Sequence, residues 1–151
     1  MELTSSEKVE KTKKPAKRKS LKGIKVLLAE DNDLNAELAT ILLEDSEMIV
    51  TRAADGQEVV DLFANHPAGT YDIILMDIMM PKMDGLQAAK AIRAMQAERP
   101  DAEEIPIIAL SANAFAEDVQ TSLDAGMNGH VSKPLNVAEV AKVIARNLNK
   151  S

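Results

Sequence analysis

Five polar side chains each follow a short apolar segment, at or just beyond the point where that segment ends. They are three carboxylates, a hydroxyl and an ammonium group: Glu30, Asp31, Asp77, Ser111 and Lys133. If those ends meet, carboxylates about 5 Å apart repel one another by roughly 3 kcal/mol per pair at an effective dielectric of about 20. One lysine cannot neutralise three such groups. We therefore expect a hard divalent cation, and a partly hydrated set of oxygen ligands suits Mg²⁺.

A cation beside an ammonium and a hydroxyl group could hold a phosphoryl group. The cation would neutralise some phosphoryl oxygens, while the two donors would bind others. A carboxylate can itself accept the phosphoryl group as an acyl phosphate. The sequence has no Gly-Lys-Ser/Thr loop and no glycine-rich turn between strand and helix, so a nucleotide is not the evident donor.

The elements that must position these residues alternate regularly from Ile24 onward. Five short apolar segments are predicted to be strands, and they span residues 24–29, 48–52, 72–76, 105–110 and 129–132. Five amphipathic helices alternate with them, which indicates βαβ units and a doubly wound parallel α/β sheet covered on both faces. In such a sheet, ligands bind beyond the carboxyl ends of the strands.

Helix signals support this order. The first helix carries one apolar stripe, which is the pattern of a helix that packs this face on a core: Leu34, Leu38, Ile41 and Leu42. Asp55 and Glu58 stand at capping-box spacing before the second helix. Asn136 and Glu139 form an N-cap signature for the last helix.

Composition limits the classes of protein. At 151 residues with 46% apolar and 28% charged residues, the chain suits one globular domain. It has no cysteine, which excludes disulfides and thiolate metal sites. No apolar run approaches the roughly 20 residues that a membrane span needs, and the first ten residues are too polar for a signal peptide. We expect a cytoplasmic protein.

The charge distribution divides the chain. Residues 1–23 hold eight basic and three acidic side chains, whereas the whole chain has a net charge of −6. We interpret residues 1–22 as a flexible basic linker or tail and residues 23–151 as the folded domain. The lysine-rich tail could bind nucleic acid or a membrane, but a solvated tether is favoured. The acidic body argues against nucleic acid as its own partner.

Four segments of the chain carry a family resemblance. Residues 26–32 (VLLAEDN), 75–85 (LMDIMMPKMDG), 108–114 (IALSANA) and 126–134 (GMNGHVSKP) resemble response-regulator receiver domains, most of all those attached to hybrid sensor histidine kinases. The resemblance covers about residues 24–149 with all elements in order, and it implies the flavodoxin-like receiver fold.

The resemblance implies a role for each carboxylate. Asp77 would accept the phosphoryl group. Glu30 and Asp31 would be the acidic pair that binds Mg²⁺ together with Asp77 and the backbone carbonyl of Met79, directly or through water. Glu30 stands where the family more often has aspartate, so its longer arm could reach the metal through water.

The resemblance also implies three roles near the last two strands. Ser111 would bind a phosphoryl oxygen and move toward it as a switch residue. Lys133 would pair with the carboxylate or phosphoryl group, aimed by a cis bond to Pro134. His130 would occupy the second switch position, where the family often has tyrosine or phenylalanine.

The resemblance implies that a histidine kinase or a histidine phosphotransfer protein supplies the phosphoryl group. The domain would catalyse only its own phosphorylation and slow dephosphorylation, and kinase activity would require that it be part of a hybrid kinase. A hybrid-kinase phosphorelay is favoured over a stand-alone response regulator. An aspartyl phosphatase is disfavoured, because Met79 stands where a similar phosphatase has a second aspartate. A binding module that no longer accepts phosphate is disfavoured because every site residue is present. The oligomeric state stays open.

Overall fold

The fold is built on one parallel sheet of five strands. The structure is a computed structural model, which describes residues 21–80, 82–111, 116–133 and 135–148. Its strands are β1 (Lys25–Ala29), β2 (Ile49–Ala53), β3 (Ile73–Asp77), β4 (Ile107–Ser111) and β5 (Gly129–Ser132). Their spatial order is β2-β1-β3-β4-β5, with every pair parallel. The predicted doubly wound α/β fold is therefore confirmed.

The helices agree with the prediction in order and differ in one region. The five predicted helices are α1 (Asp33–Glu44), α2 (Gly56–Ala64), α3 (Gly85–Arg93), α5 (Ala116–Asp124) and α6 (Val137–Leu148). Between α3 and β4 the chain also forms a 3-10 turn (Ala94–Ala97) and the short helix α4 (Asp101–Glu104). Each spans about one turn, which is too short to give a periodic signal in the sequence.

Strand ends differ from the prediction by one or two residues. β3 ends on Asp77 and β4 ends on Ser111, so both side chains belong to the strands rather than following them. Ile105, predicted in the fourth strand, is instead the C-cap residue that follows α4.

The sheet separates two layers of core side chains. Successive strand residues point to opposite faces, so β1 sends Leu27 and Ala29 to the side of α2 and α3. Val26 and Leu28 of β1 point to the opposite face, where they pack in a second cluster of core side chains that includes Ile144 of α6. Both faces of the sheet are covered, and its carboxyl edge is left to the loops.

The apolar stripe predicted to bury α1 lies mainly on the outside of the molecule. Its members Leu34, Leu38 and Ile41 are 63%, 57% and 58% exposed. The buried face of α1 consists instead of Ala36, Ala39 and Leu43. At about 100° per residue the two faces are roughly opposite. The helix thus buries two alanines and one leucine and leaves Leu34, Leu38 and Ile41 outside.

Some predictions fall on residues that are not described. The basic tail lies outside the described residues except for Leu21 and Lys22, and Pro134 with its predicted cis bond is also outside them. Within the described ranges, no helix has the length and apolar character that would let it cross a membrane.

Candidate functional site

Three carboxylates meet at the carboxyl edge of the sheet. Glu30 follows β1 and Asp77 ends β3, the neighbouring strand, and both are buried at 4% and 3% exposure. Asp31 is exposed beside them. Oxygens of the three carboxylates lie within 4.8 Å of one another. The structure thus brings together the acidic residues that the sequence selected.

Lys133 links two of these carboxylates. Its Nζ lies 2.6 Å from Asp77 Oδ2 and 3.1 Å from Glu30 Oε1. Burial acts to lower the pKa of Lys133, but hydrogen bonds and the charges of Asp77 and Glu30 raise it overall. Lys133 therefore stays protonated and supplies one positive charge to three acidic groups.

Glu30 is held in an environment that disfavours its charge. Burial raises the pKa of Glu30, and the charge of Asp77 adds to this. The Asn32 N–H, which donates to Glu30 Oε2 at 3.2 Å, and Lys133 act in the opposite direction without cancelling the effect. The pKa of Glu30 stays raised although it pairs with a lysine, because one shared ammonium group does not offset burial and a second carboxylate. A further cation would relieve this.

The turn after β1 directs the acidic pair toward the helix that follows. Asn32 is the N-cap of α1, and its Oδ1 accepts a hydrogen bond from the Asn35 N–H at 2.8 Å. The N-terminal end of a helix carries a partial positive charge, which favours nearby carboxylates. Glu30 and Asp31 thus stand at the start of α1.

The loop after β3 packs tightly on the backbone of Asp77. The Met79 N–H donates to Asp77 Oδ1 at 3.0 Å, and the Gly85 N–H donates to the Ile78 carbonyl at 2.9 Å. A Cβ at Gly85 would lie 2.4 Å from the Asp77 carbonyl oxygen. Only glycine fits there without moving the loop. Asp84 and Gln87 then form a capping box at the start of α3.

The remaining predicted residues lie on β4 and β5. Ser111 is half-buried at the end of β4, and its carbonyl accepts a hydrogen bond from the Lys133 N–H at 2.8 Å. His130 lies on β5 beside Ala109 in register. Its Nε2 is buried and finds no hydrogen-bond partner within the described ranges. Ser111 thus adjoins the site, and His130 lies three residues before Lys133 on the last strand.

An apolar groove runs from the site along α1. Its volume is about 440 Å³, and it is lined by Glu30, Asn35, Leu38, Ala39, Leu42, Leu110, Lys133 and Leu135. Leu38 and Leu42 belong to the stripe that the sequence had assigned to a core-facing helix. These two residues of the stripe therefore form part of the wall of a groove that ends at two charged residues of the site, Glu30 and Lys133.

Arg52 is a site neighbour that the sequence analysis missed. Its Nε donates to the Glu30 carbonyl at 3.0 Å, and its Nη1 lies 2.9 Å from Asp33 Oδ1. The available signal was a charged residue near the carboxyl end of the predicted second strand. Strand order was needed to see that β2 lies beside β1.

The donor set fits a hard divalent cation. The three carboxylates offer mutually close oxygens, and Mg²⁺ prefers oxygen ligands and keeps part of its water shell. Burial raises the pKa of Glu30, the charge of Asp77 adds to this, and Lys133 does not cancel the effect. The acidic cluster could therefore hold a metal ion.

Comparison with known proteins agrees with this geometry. The family model of the response regulator receiver domain matches residues 26–145. The hybrid signal transduction histidine kinase B of Dictyostelium discoideum is 39% identical over 152 residues, covering 95% of this chain and 8% of that protein. The sensor protein GacS of Pseudomonas syringae is 36% identical over 127 residues, covering 84% of this chain and 14% of GacS. The chain thus spans only a small part of these relatives.

Two solved structures are also similar. The receiver domain of a sensor histidine kinase from Pseudomonas aeruginosa, with a magnesium ion coordinated in its active-site cleft, has a TM-score of 0.74 and 36% identity. That match covers 85% of this chain and 99% of that one. The receiver domain of the Saccharomyces cerevisiae response regulator Ssk1, in a co-crystal with the histidine phosphotransfer protein Ypd1, has a TM-score of 0.76 and 28% identity. That match covers 86% and 92% of the two chains.

Proposed function

The chain belongs to the family of response regulator receiver domains, and from this membership we propose that Asp77 accepts a phosphoryl group from a phosphohistidine. One observation carries the proposal. The buried Asp77 carboxylate is paired with Lys133 at 2.6 Å and lies within 4.8 Å of oxygens of Glu30 and Asp31. This is the arrangement of charges that a phosphoryl group and its cation need.

The proposed reaction exchanges one bond to phosphorus for another. A carboxylate oxygen of Asp77 attacks phosphorus, the bond between phosphorus and the imidazole nitrogen breaks, and the nitrogen keeps the electron pair. Lys133 then binds the phosphoryl group in place of the free carboxylate, and the Ser111 hydroxyl donates to another phosphoryl oxygen. A bound Mg²⁺ would supply the positive charge that the phosphoryl oxygens need.

We assign the metal ligands by their place at the sheet edge. Glu30, Asp31 and Asp77 would hold Mg²⁺ with the carbonyl of Met79, and the bond from the Met79 N–H to Asp77 Oδ1 holds the backbone nitrogen of Met79 beside that carboxylate. The magnesium ion in the similar Pseudomonas aeruginosa receiver supports this assignment.

The domain is proposed to act on itself and on no outside substrate. It would catalyse its own phosphorylation and a slow hydrolysis of the acyl phosphate. A phosphatase with an aspartyl nucleophile needs an acid that protonates the leaving group. The side chain two residues beyond Asp77 is that of Met79, which is 79% exposed and has no proton to donate.

We propose that a histidine kinase or a histidine phosphotransfer protein is the donor or acceptor, within a hybrid-kinase phosphorelay, and that the phosphotransfer protein docks on α1. The Ssk1 receiver that resembles this chain binds such a protein, and two of the relatives are hybrid signal transduction histidine kinases. The exposed stripe of α1 and the groove beside it would contact apolar side chains of the partner. Because the groove ends at Glu30 and Lys133, a histidine carried on that partner would reach Asp77. Such a relay would operate in the cytoplasm.

We also propose how phosphorylation changes the surface. Ser111 and Lys133 are joined through their backbones at the ends of β4 and β5. A shift of Ser111 toward the phosphoryl group would therefore be transmitted through this hydrogen bond to β5, where His130 is the second switch residue. The face formed by α5, β5 and α6 would report the change.

Labelling with a small phosphodonor tests the proposal. With Mg²⁺ present, acetyl phosphate or phosphoramidate should transfer one phosphoryl group to the wild type, which mass spectrometry would detect. The Asp77→Asn variant should gain none, and EDTA should prevent labelling of the wild type. Asp72→Asn, outside the site, is a matched control and should be labelled as the wild type is. Equal labelling of wild type and Asp77→Asn would refute the assignment.

A further inference from the structure

Arg52 joins the edge strand β2 to the turn that carries the acidic pair. Its Nε donates to the Glu30 carbonyl at 3.0 Å, and the N–H of Glu30 donates to the carbonyl of Ala53 at 3.0 Å. Both backbone polar groups of Glu30 are therefore held by two consecutive residues of β2. β1 pairs with β2 and β3 as far as Ala29, so Glu30 stands just beyond the paired part of the sheet.

The same guanidinium reaches the first turn of α1. Its Nη1 lies 2.9 Å from Asp33 Oδ1, and the Asp33 side chain is 94% exposed. The two contacts stand on either side of Asp31 in the chain, at Glu30 and at Asp33. One rigid side chain thus fixes both ends of the turn on which two of the three carboxylates stand.

The guanidinium of Arg52 is only partly satisfied by hydrogen bonds to the described residues. Arg52 Nη2 is buried and has no hydrogen-bond partner among the described residues. A buried donor without a partner costs free energy, and an aliphatic side chain would avoid that cost. The contacts to Glu30 and Asp33 are what arginine adds.

We propose that Arg52 is a positioning residue, whose guanidinium fixes the turn from Glu30 to Asp33 and so sets the affinity of the acidic cluster for a divalent cation. The inference rests on the proposed function, because it takes the cluster as the Mg²⁺ site. Some residues orient the metal ligands without binding the metal themselves, and replacing one commonly weakens metal affinity by about 10-fold or more. Mg²⁺ is sensitive to such changes because it demands a near-ideal octahedron.

Arg52 could act by holding the turn in position or only by its positive charge, and the two possibilities predict opposite changes in Mg²⁺ affinity when Arg52 is replaced. If Arg52 acts by holding the turn, its loss weakens Mg²⁺ binding. If it acts only as a nearby positive charge, its loss strengthens Mg²⁺ binding, because a cation is then less repelled. Arg52→Lys keeps the charge, but a single ammonium group cannot reproduce the fork that joins Glu30 and Asp33. Arg52→Gln removes the charge.

The experiment measures Mg²⁺ affinity by isothermal titration calorimetry at pH 7 and fixed salt. Arg52→Lys and Arg52→Gln should each raise the Kd for Mg²⁺ by about 10-fold. Arg146→Gln is the matched control. It removes the positive charge of an exposed side chain on α6, away from the turn from Glu30 to Asp33, so its Kd should stay within about 2-fold of the wild type.

A second readout needs no metal. In EDTA, the Glu30 amide proton should exchange faster in Arg52→Lys than in the wild type, while amides of β3 keep their rates. A wild-type Kd in both variants, even with a lower Tm, would overturn the proposal, as would tighter binding by Arg52→Gln. A wild type that binds no Mg²⁺ would also overturn it. Labelling of Asp77 by a phosphodonor is scored separately, so loss of the Arg52 effect with intact labelling leaves the proposed function standing.

Discussion

At the scale of single residues, the site brings three carboxylates together with the one ammonium group of Lys133, and this excess of negative charge is the basis of the proposed phosphoryl chemistry. Lys133 shares one ammonium group between Asp77 and Glu30, while the pKa of Glu30 is raised by burial and by Asp77. A phosphoryl group brings more negative charge to the same place. In the proposed reaction the carboxylate of Asp77 would lose its own charge on acylation, and the ammonium group of Lys133 would bind the new oxygens.

Removing the ammonium group should make the protein depend on metal. In Lys133→Met, the free energy of unfolding in EDTA should fall by about 2 kcal/mol, because two buried carboxylates lose their cation. Mg²⁺ should then raise the Tm of this variant more than that of the wild type, and labelling by acetyl phosphate should fall by about 100-fold. Lys82→Met, whose side chain is 73% exposed, is the control for removing a lysine near the site. An equal response of Lys133→Met and wild type to Mg²⁺ would contradict this expectation.

At the scale of elements, α1 has two apolar faces with different tasks. One face packs on the sheet through Ala36, Ala39 and Leu43, and the other exposes Leu34, Leu38 and Ile41. An exposed apolar stripe beside a functional groove is typical of a contact surface. Helix α1 therefore contributes both to the core and to the proposed contact with a partner.

The stabilities of two leucine variants should distinguish the buried face of α1 from its exposed face. Leu43→Ala removes a fully buried side chain and should cost about 3 kcal/mol. Leu38→Ala removes one that is 57% exposed and should cost less than about 0.5 kcal/mol. Urea denaturation measures both values. Similar losses in the two variants would show that the stripe packs inside the molecule.

The exposed face should matter for transfer between proteins. Leu38→Glu places a charge in the groove, so transfer from a phosphorylated histidine phosphotransfer protein of the proposed kind should slow by about 10-fold or more. Labelling by acetyl phosphate should keep its wild-type rate, because that donor makes no contact with α1. Gln120→Glu on α5 is the control for an added surface charge. A slower reaction with acetyl phosphate would mean that the change distorts the site instead.

At the scale of the whole molecule, the candidate site lies at the carboxyl ends of the strands, and two arginines that link several segments of the chain lie near the amino ends. Arg93, at the end of α3, donates to the carbonyls of Gly126 and Ala102 and to Asn128 Oδ1 at 2.7 to 2.9 Å. Arg99 binds both carboxylate oxygens of Asp101 at 2.9 Å. These arginines stabilise the region from α3 to α5 near the amino ends of the strands. The proposed chemistry takes place at the opposite, carboxyl ends.

The pair of Arg99 and Asp101 should give stability that disappears in acid. The hydrogen bonds from Arg99 hold the pKa of Asp101 below its ordinary value of 3.8. The ionised carboxylate is therefore favoured in the folded state, and its contribution is complete above 3.8 and is lost as pH falls through the folded pKa. Asp101→Asn should cost about 1 kcal/mol at neutral pH, since the pair is bidentate but partly exposed. Urea unfolding at pH 7 and at about pH 3 should show this difference shrinking, and a constant difference would contradict it.

The sequence by itself determined the fold class and the place of the site. Alternating strands and helices predict a parallel sheet, and a parallel sheet brings its strand ends to one edge. That was enough to predict that Glu30, Asp31 and Asp77 meet, because it required only the alternation of strands and helices and the types of the side chains at the strand ends. The short helix α4 was not predictable, since a single turn has no period.

Only the tertiary structure decided which neighbours these residues have. Periodicity shows that α1 has an apolar stripe, but whether that stripe or the alanine face meets the sheet depends on how closely the helix packs. Likewise, Arg52 reaches Glu30 because β2 lies beside β1, and Lys133 bridges residues that are 56 and 103 positions away in the chain. Contacts of this kind depend on distances between elements, and a local pattern of residue types does not contain those distances.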